Sequence, residues 1–192
     1  MELSELHLVN LVSEGDEPAF ERLFKSYFKS LHAYAMVIVR DDILAEEAVQ
    51  QVFFRIWEKK EQLKVHTSVK AFLYRAVYNE CINYLNRRKH RSAYEDHMLK
   101  TGAGESYESA LMRIERTELE TQLQKAMDGL PPQCRNIFYM SRFGELKYRE
   151  IAAELGLSVK TVEVQMGKAL KILRAKLVDF LPLLLWLLTK FK

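Results

Sequence analysis

The stretch YREIAAELGLSVKTVEVQM, Tyr148 to Met166, decides how the chain is read. Ile151, Ala152 and Leu155 form a short apolar helical face that stops at Gly156. Val162, Met166, Ala169, Leu170 and Leu173 resume the three- and four-residue spacing of a second helix. Only Gly156-Leu157-Ser158 lies between them, with Gly free to take φ > 0 and Ser158 placed to cap the second helix. A core-forming hairpin has no need of polar donors and acceptors on the first exposed turns of its last helix, yet this one carries Ser158, Lys160, Thr161, Glu163, Gln165 and Lys168 around an outward Val164. Lys can donate to guanine, Gln can bond adenine twice, Glu can accept from cytosine, and Val can touch a thymine methyl. The stretch is read as a helix-turn-helix whose second helix enters a DNA groove.

The rest of the chain is helical by the same criterion. Seven Gly and four Pro in 192 residues disfavour a turn-rich β fold. Asp16 and Pro18 mark a helix start, followed by Phe20, Leu23, Phe24, Tyr27, Phe28, Leu31, Ala35 and Ile38 on one face. Beyond the break at Arg40-Asp41-Asp42, Ala45, Ala48, Val49, Val52, Phe53 and Ile56 repeat the spacing. Periodicity lapses from Glu61 to Thr67, then returns in Leu73, Ala76, Val77, Cys81, Tyr84 and Leu85, which lead into Arg87-Arg88-Lys89-His90-Arg91. A further unit opens at Leu119, is stopped by Gly129 and Pro131-Pro132, and restarts through Cys134, Ile137 and Phe138. The expectation is an all-α chain of two small domains: residues 1–91, an acidic linker over 92–117, a helix-turn-helix domain over 118–179, and an apolar tail over 180–192.

Charge is distributed unevenly. Lys64 to Arg91 holds seven Lys/Arg against one Glu, Ser92 to Glu120 seven acids against three bases, and Ser158 to Val178 five bases against one acid. Two basic blocks flank an acidic spacer. The helix-end dipole accounts for some of the first block, but so dense a cluster repels itself without a polyanion nearby, and Lys64, Lys70, Arg75, Asn79, Asn83, Asn86, Arg87 and Arg88 are read as a second DNA-contacting set. Tyr74 and Tyr78 are interleaved with it, as in grooves that hold single strands on aromatic platforms. Between Ile43 and Lys59 the core face leaves Glu47, Gln50, Gln51 and Phe54 outward. An aromatic ringed by polar groups suits a protein partner, with contact to another helix of the same chain as the alternative. Trp57 and Tyr84 are assigned to the core.

With these segments in order, the chain resembles the extracytoplasmic-function group of sigma-70-type RNA polymerase sigma factors. GDEPAFERLFKSYFKSLHAYA is similar to the family's first conserved region, AEEAVQQVFFRIW to its polymerase-binding helix, AFLYRAVYNECINYLNRRKH to its −10 region, and LPPQCRNIFYMSRFGELKYREIAAELGLSVKTVEVQMGKALKILR to its −35 domain. The resemblance implies contact with the polymerase clamp helices through Glu47, Gln50, Gln51 and Phe54. It also implies capture and melting of the −10 element by the helix containing Lys70 to Arg88 with the loop over 61–67, and reading of the −35 duplex from Ser158 to Lys168. Core RNA polymerase, promoter DNA and an anti-sigma factor are the partners it implies. Lys147 departs from the family's usual Ser or Thr cap, forfeiting about 1 kcal/mol, and Gly167 interrupts the recognition helix at a similar cost of about 1 kcal/mol.

Other classes find little here. An operator-binding helix-turn-helix dimer accounts for the second domain and leaves the first without a role. Thr101-Gly102-Ala103-Gly104 has no following GK[ST], the five His have no metal-ligand spacing, and no nucleophile has a base, so no enzyme, metal, cofactor or small-molecule substrate is expected. Cys81 and Cys134 lie in helical patterns without CxxC and are expected to be reduced, as in cytoplasm. MELSELHLVN lacks the features of a signal peptide. The run Phe180 to Leu188 is too short to span a bilayer core of about 30 Å, so membrane contact through the tail is weak at most and packing on the second domain is the expectation.

Overall fold

The computed structural model describes residues 5–65, 68–99 and 118–177. The apolar tail over 180–192, the spacer over 100–117, and the side chains of the basic run Lys89 to Arg91 fall outside the described residues. Among the described residues there are eight α-helices and one 3₁₀ turn: α1 (Glu5–Glu14), α2 (Glu17–Val39), α3 (Asp42–Glu58), the turn Lys60–Gln62, α4 (Val69–Leu99), α5 (Glu118–Asp128), α6 (Pro132–Arg142), α7 (Tyr148–Leu155) and α8 (Val159–Lys176). None of these helices is long and apolar enough to cross a membrane.

Helix α2 starts where Asp16 accepts from the Ala19 N–H at 2.7 Å, and α3 where Asp41 accepts from the Leu44 N–H at 3.0 Å. Between them Arg40 takes a left-handed conformation, φ 55°, and its N–H closes α2 onto the Met36 carbonyl. This sharp reversal lays α3 back along α2, with α4 packed on both. Ala45, Ala48 and Val49 of α3 are fully buried, and their small size lets the neighbouring helices approach closely. Phe53 fills the wider end, its ring edge-on to Phe24 at 4.9 Å and to Phe20 at 6.0 Å between centroids. Trp57 packs on Phe20 at 4.9 Å as expected of a core-side residue, although it is only half-buried and Lys60 lies over its ring.

Two elements go beyond the sequence reading. Helix α1 was not anticipated. Its Leu8, Val9 and Val12 are buried, and Tyr27 of α2 donates to Glu5 at 2.5 Å. Helix α4 runs on to Leu99, eight residues past the expected boundary, because Ser92 to Leu99 contains no Gly or Pro and an acidic composition alone does not stop a helix.

The second group of helices buries Ala126, Met127, Leu130, Cys134, Ile137, Met140, Ile151, Ala152, Val162, Met166, Ala169 and Leu173. The turn between α7 and α8 follows the sequence reading. Gly156 has φ +65°, and the N–H of Leu157 reaches back to the Ala152 carbonyl at 2.8 Å. Both cysteines are free and buried, and burial pushes the Cys81 thiol up to about 12.

The two groups touch through one side of α4, which packs on α6 and α7. Arg75 donates from Nη1 to the Glu154 backbone carbonyl at 2.6 Å and pairs with its carboxylate at 3.2 Å. Tyr78 meets Tyr139 at 6.0 Å, and Tyr74 meets Tyr34 of α2 at 4.7 Å. All four rings are buried, and desolvation raises the Tyr78 and Tyr139 hydroxyls to about 12. Gly144 abuts the Tyr74 ring: a Cβ there stands 2.9 Å from Tyr74 Cδ1 and 2.6 Å from the Met140 carbonyl oxygen. Gly144→Ala is therefore expected to shift the end of α6 off α4, costing about 1–3 kcal/mol as an overpacked site. A fall in Tm by thermal denaturation, with the interdomain distance lengthened in solution, is the measurement that checks this.

Candidate nucleic-acid and protein interfaces

Burial of one face of α3 forces the opposite face into solvent, because the helix turns about 100° per residue. Glu47 and Gln50 are exposed, Gln51 is half-buried, and Phe54 is 59% exposed. Gln50 donates to Glu46 at 2.9 Å, which holds its amide along the helix. Ile43, 74% exposed, stands one turn before Glu47 on the same stripe and was missed by the sequence reading. Periodicity marks it as an outlier of the core face, and that is the signal that identifies it. Two large apolar side chains thus stand exposed among polar ones on a single stripe, a feature suited to a protein partner.

A cavity of about 410 Å³ opens between the C-terminal half of α3, the 3₁₀ turn with the residues after it, and the middle of α4. Its wall is apolar at Val52, Ile56, Leu63, Phe72 and Ala76, and polar at Asn79, Asn83 and Glu80. Lys59, Lys64 and Arg55 add cationic groups. Of the expected −10 set, Lys64, Asn79 and Asn83 come together here, and Arg87 approaches from further along α4 through its contact with Glu80 at 3.3 Å. Asn86 and Arg88 are exposed beyond it. Lys70 and Arg88 fall on another side of α4 by helical spacing, and Lys70 lies over the Tyr74 ring at 5.6 Å. Arg75 is held by Glu154, as described above.

Tyr74 and Tyr78 are not open stacking platforms: at 4% and 6% exposure they serve the contact between the two groups of helices. Phe72, half-buried in the cavity wall, is the aromatic that faces the space. Tyr84, assigned to the core, is only partly buried, with the Arg87 guanidinium 5.0 Å from its ring. Residues missed by the sequence reading here are Arg55, Glu80 and Phe72. A lone acid in a basic block is a visible anomaly, whereas Arg55 is distant in sequence and reaches the cavity only through the α3–α4 packing.

In the helix-turn-helix, Ser158 caps α8 by accepting from the Thr161 N–H at 3.0 Å and shares a hydroxyl contact with Thr161 at 2.8 Å. Lys160, Glu163, Val164 and Lys168 are exposed, and Lys160 and Glu163 stand 3.9 Å apart. Gln165 differs from the rest of the expected −35 set: its amide oxygen accepts from the buried Cys134 thiol at 2.9 Å, so it braces α8 against α6. At the start of α7, Lys147 has no acceptor to offer as a side-chain cap, but Glu150 accepts from the Lys147 N–H at 2.8 Å and preserves half of a capping box. Nothing lies within 4 Å of a Cβ on Gly167, which shares the exposed face with Lys160, Glu163 and Val164. Gly167→Ala is expected to stabilise the fold by about 0.5–1 kcal/mol while weakening binding to a duplex bearing the recognised element, as a methyl on the face expected to meet DNA would do. Paired thermal-denaturation and duplex-titration measurements check both signs.

A model for sigma-70 region 2 matches residues 23–91, and one for sigma-70 region 4 matches residues 120–173. The chain is 25% identical over 169 residues to the RNA polymerase sigma-H factor of Pseudomonas aeruginosa, covering 84% of this chain and 88% of that protein. It is 27% identical over 160 residues to the ECF RNA polymerase sigma factor RpoE of Cereibacter sphaeroides, covering 83% and 86%. Among solved structures, CnrH in complex with the cytosolic domain of CnrY matches with a TM-score of 0.62 at 22% identity, covering 90% of this chain and 95% of that one. The sigma factor RpoE in complex with the anti-sigma factor NepR from Bartonella quintana matches with a TM-score of 0.56 at 20% identity, covering 82% and 96%. At these identities the structural matches establish the shared all-α fold.

Proposed function

The chain belongs to the extracytoplasmic-function group of sigma-70-type sigma factors, and on that premise we propose which of its surfaces perform each part of promoter-specific initiation. A sigma factor is a regulatory subunit: it binds core RNA polymerase and directs it to promoter DNA. The region 2 match gives the first domain a role that an operator-binding dimer leaves unexplained, so that alternative is set aside. The chain acts in the cytoplasm and without chemistry of its own. Residues 1–91 form the polymerase-binding and −10 domain, and 118–179 the −35 domain.

The observation that carries the assignment of the −10 site is the cavity between α3 and α4. Its volume of about 410 Å³ lies within the range of small-ligand pockets. Phe72 offers a stacking surface, and the Asn79 and Asn83 amides offer donors and acceptors for a base edge. Unstacking a base costs a few kcal/mol, and a pocket that binds it offsets that cost. Asn86 tracks the neighbouring phosphates, while Arg88 and Lys70, on another side of α4, contact the backbone away from the cavity. Arg75 joins them when the second domain releases it. In the −35 domain, Lys160, Glu163, Val164 and Lys168 read the groove face, Ser158 and Thr161 set the start of α8, and Gln165 supports α8 from behind. The two solved relatives were each captured with a regulatory protein, CnrY in one and the anti-sigma factor NepR in the other. An anti-sigma factor is accordingly assigned as this chain's regulator.

The stripe Glu47, Gln50, Gln51 and Phe54 is the polymerase-binding surface, with Phe54 its apolar anchor. Phe54→Ala should lower affinity for core polymerase by about five- to thirtyfold, as loss of a hot-spot aromatic does, with Tm unchanged because the ring is mostly in solvent. Specific initiation in a purified system of core polymerase and promoter template should fall in parallel. Wild-type protein that supports no initiation from any promoter overturns the sigma reading. An unchanged Phe54→Ala variant overturns only the placement of the surface.

A further inference from the structure

Glu80 is the only acid between Lys64 and Arg91, yet its side chain is 2% exposed. A carboxylate taken so far out of water must be paired, since leaving it alone costs several kcal/mol. It is paired twice. Arg55 Nη1 of α3 donates to Oε2 at 2.5 Å, and Arg87 Nη2, two turns along α4, donates to Oε1 at 3.3 Å. One arginine suffices to neutralise one carboxylate; the second leaves the triad with a net positive charge. Both arginine side chains stay open to solvent, 46% for Arg55 and 64% for Arg87, and most of their five N–H donors each are uncommitted to Glu80. Arg87 is further fixed by its seat on the Tyr84 ring at 5.0 Å. Arg55 and Glu80 both line the cavity, and Lys59 and Lys64 share its wall.

A pair whose task is to staple α3 to α4 does not require two half-exposed guanidiniums directed by one buried acid to the edge of a cavity. We propose that Glu80 is a positioning residue that holds Arg55 and Arg87 as a phosphate clamp at the cavity, so that Arg55, on the helix that also faces polymerase, contacts the backbone of the captured −10 strand. This rests on the assignment of the cavity to the −10 strand. Bidentate arginine geometry suits a phosphate, and holding the side chains in place beforehand removes the cost of ordering them on binding.

The experiment uses holoenzyme reconstituted from the full chain and core polymerase, with a fluorescent single-stranded −10 oligonucleotide and a −35 duplex as separate probes. Arg55→Gln should reduce the magnitude of the log-affinity against log-salt slope for the single strand by about 0.7, the contribution of one phosphate contact on a single strand. Arg55→Lys should restore most of that slope, and duplex binding should not change. Glu80→Gln adds net positive charge beside a polyanion, so simple electrostatics predicts tighter binding; a positioning role predicts weaker binding of the single strand, by about three- to tenfold, with the −35 duplex unaffected. Single-strand affinity that is equal or higher in Glu80→Gln overturns the clamp. So does an unchanged slope in Arg55→Gln, which decides the matter even if Glu80→Gln does not fold. Wild-type holoenzyme that does not hold the single strand overturns the cavity assignment itself, and the clamp with it.

Discussion

The burial of α3 between α2 and α4 is the constraint from which the chain's interfaces follow. Ala45, Ala48, Val49, Val52, Phe53 and Ile56 occupy one face and are almost completely removed from water. A helix held so firmly has no rotational freedom, so the opposite stripe from Ile43 to Phe54 is presented at a fixed angle. The same packing carries Arg55 across to Glu80 and sets the width of the cavity. The polymerase contact and the strand capture proposed for this chain therefore share one rigid element. The proximity reaches individual groups: the Tyr84 hydroxyl on α4 is raised chiefly by desolvation, and it also feels Glu47 on the outward stripe of α3 and the buried Glu80.

What the sequence made legible were features with local causes. The start of α2 follows from Asp16, the break before α3 from Arg40-Asp41-Asp42, and the turn at Gly156-Leu157-Ser158 from one residue with positive φ and one cap. The outward placement of Glu47, Gln50 and Phe54 follows from helical period alone. What was not legible depended on contacts distant in sequence. Tyr74 and Tyr78 alternate with bases and read as stacking platforms, but the second group of helices covers them. Gln165 sits among exposed residues in sequence, yet its amide meets the buried Cys134 thiol. Arg55 is unremarkable until α4 supplies its acid. Helix α1 carries a short apolar pattern that becomes meaningful only with Tyr27 and Glu5 in contact.

The second group of helices shows how a missing local signal is compensated. Lys147 cannot accept from the first turn of α7, and a helix this short is poorly placed to lose a cap. Glu150 reaches back to the Lys147 N–H, while Ile151 and Ala152 are buried against the neighbouring helices, so tertiary packing supplies what the cap does not. Gly167 is tolerated for a related reason: Met166 and Ala169 on either side of it are locked in the core, and the glycine itself opens only on solvent. Local helix cost is accepted where the fold holds the segment from behind.

Arg75 has a choice of two anions. In the docked arrangement it is satisfied by Glu154, with the backbone carbonyl lying at the negative end of α7. The arginine side chain is 44% exposed and its carboxylate partner 9%, so solvent reaches the pair from the arginine side. A promoter offers phosphate at high local charge density and gains the release of condensed counterions, so it competes on favourable terms for the same guanidinium. The contacts of Tyr78 with Tyr139 and of Gly144 with Tyr74 also hold the two groups together. Because these are largely apolar, salt weakens them little. Ionic strength therefore acts unequally on the two states: it leaves the tyrosine contact nearly intact while weakening any phosphate contact of Arg75. With Arg75 assigned to the −10 strand as proposed, the balance between docked and promoter-engaged chain depends on how strongly DNA competes with Glu154 for that guanidinium.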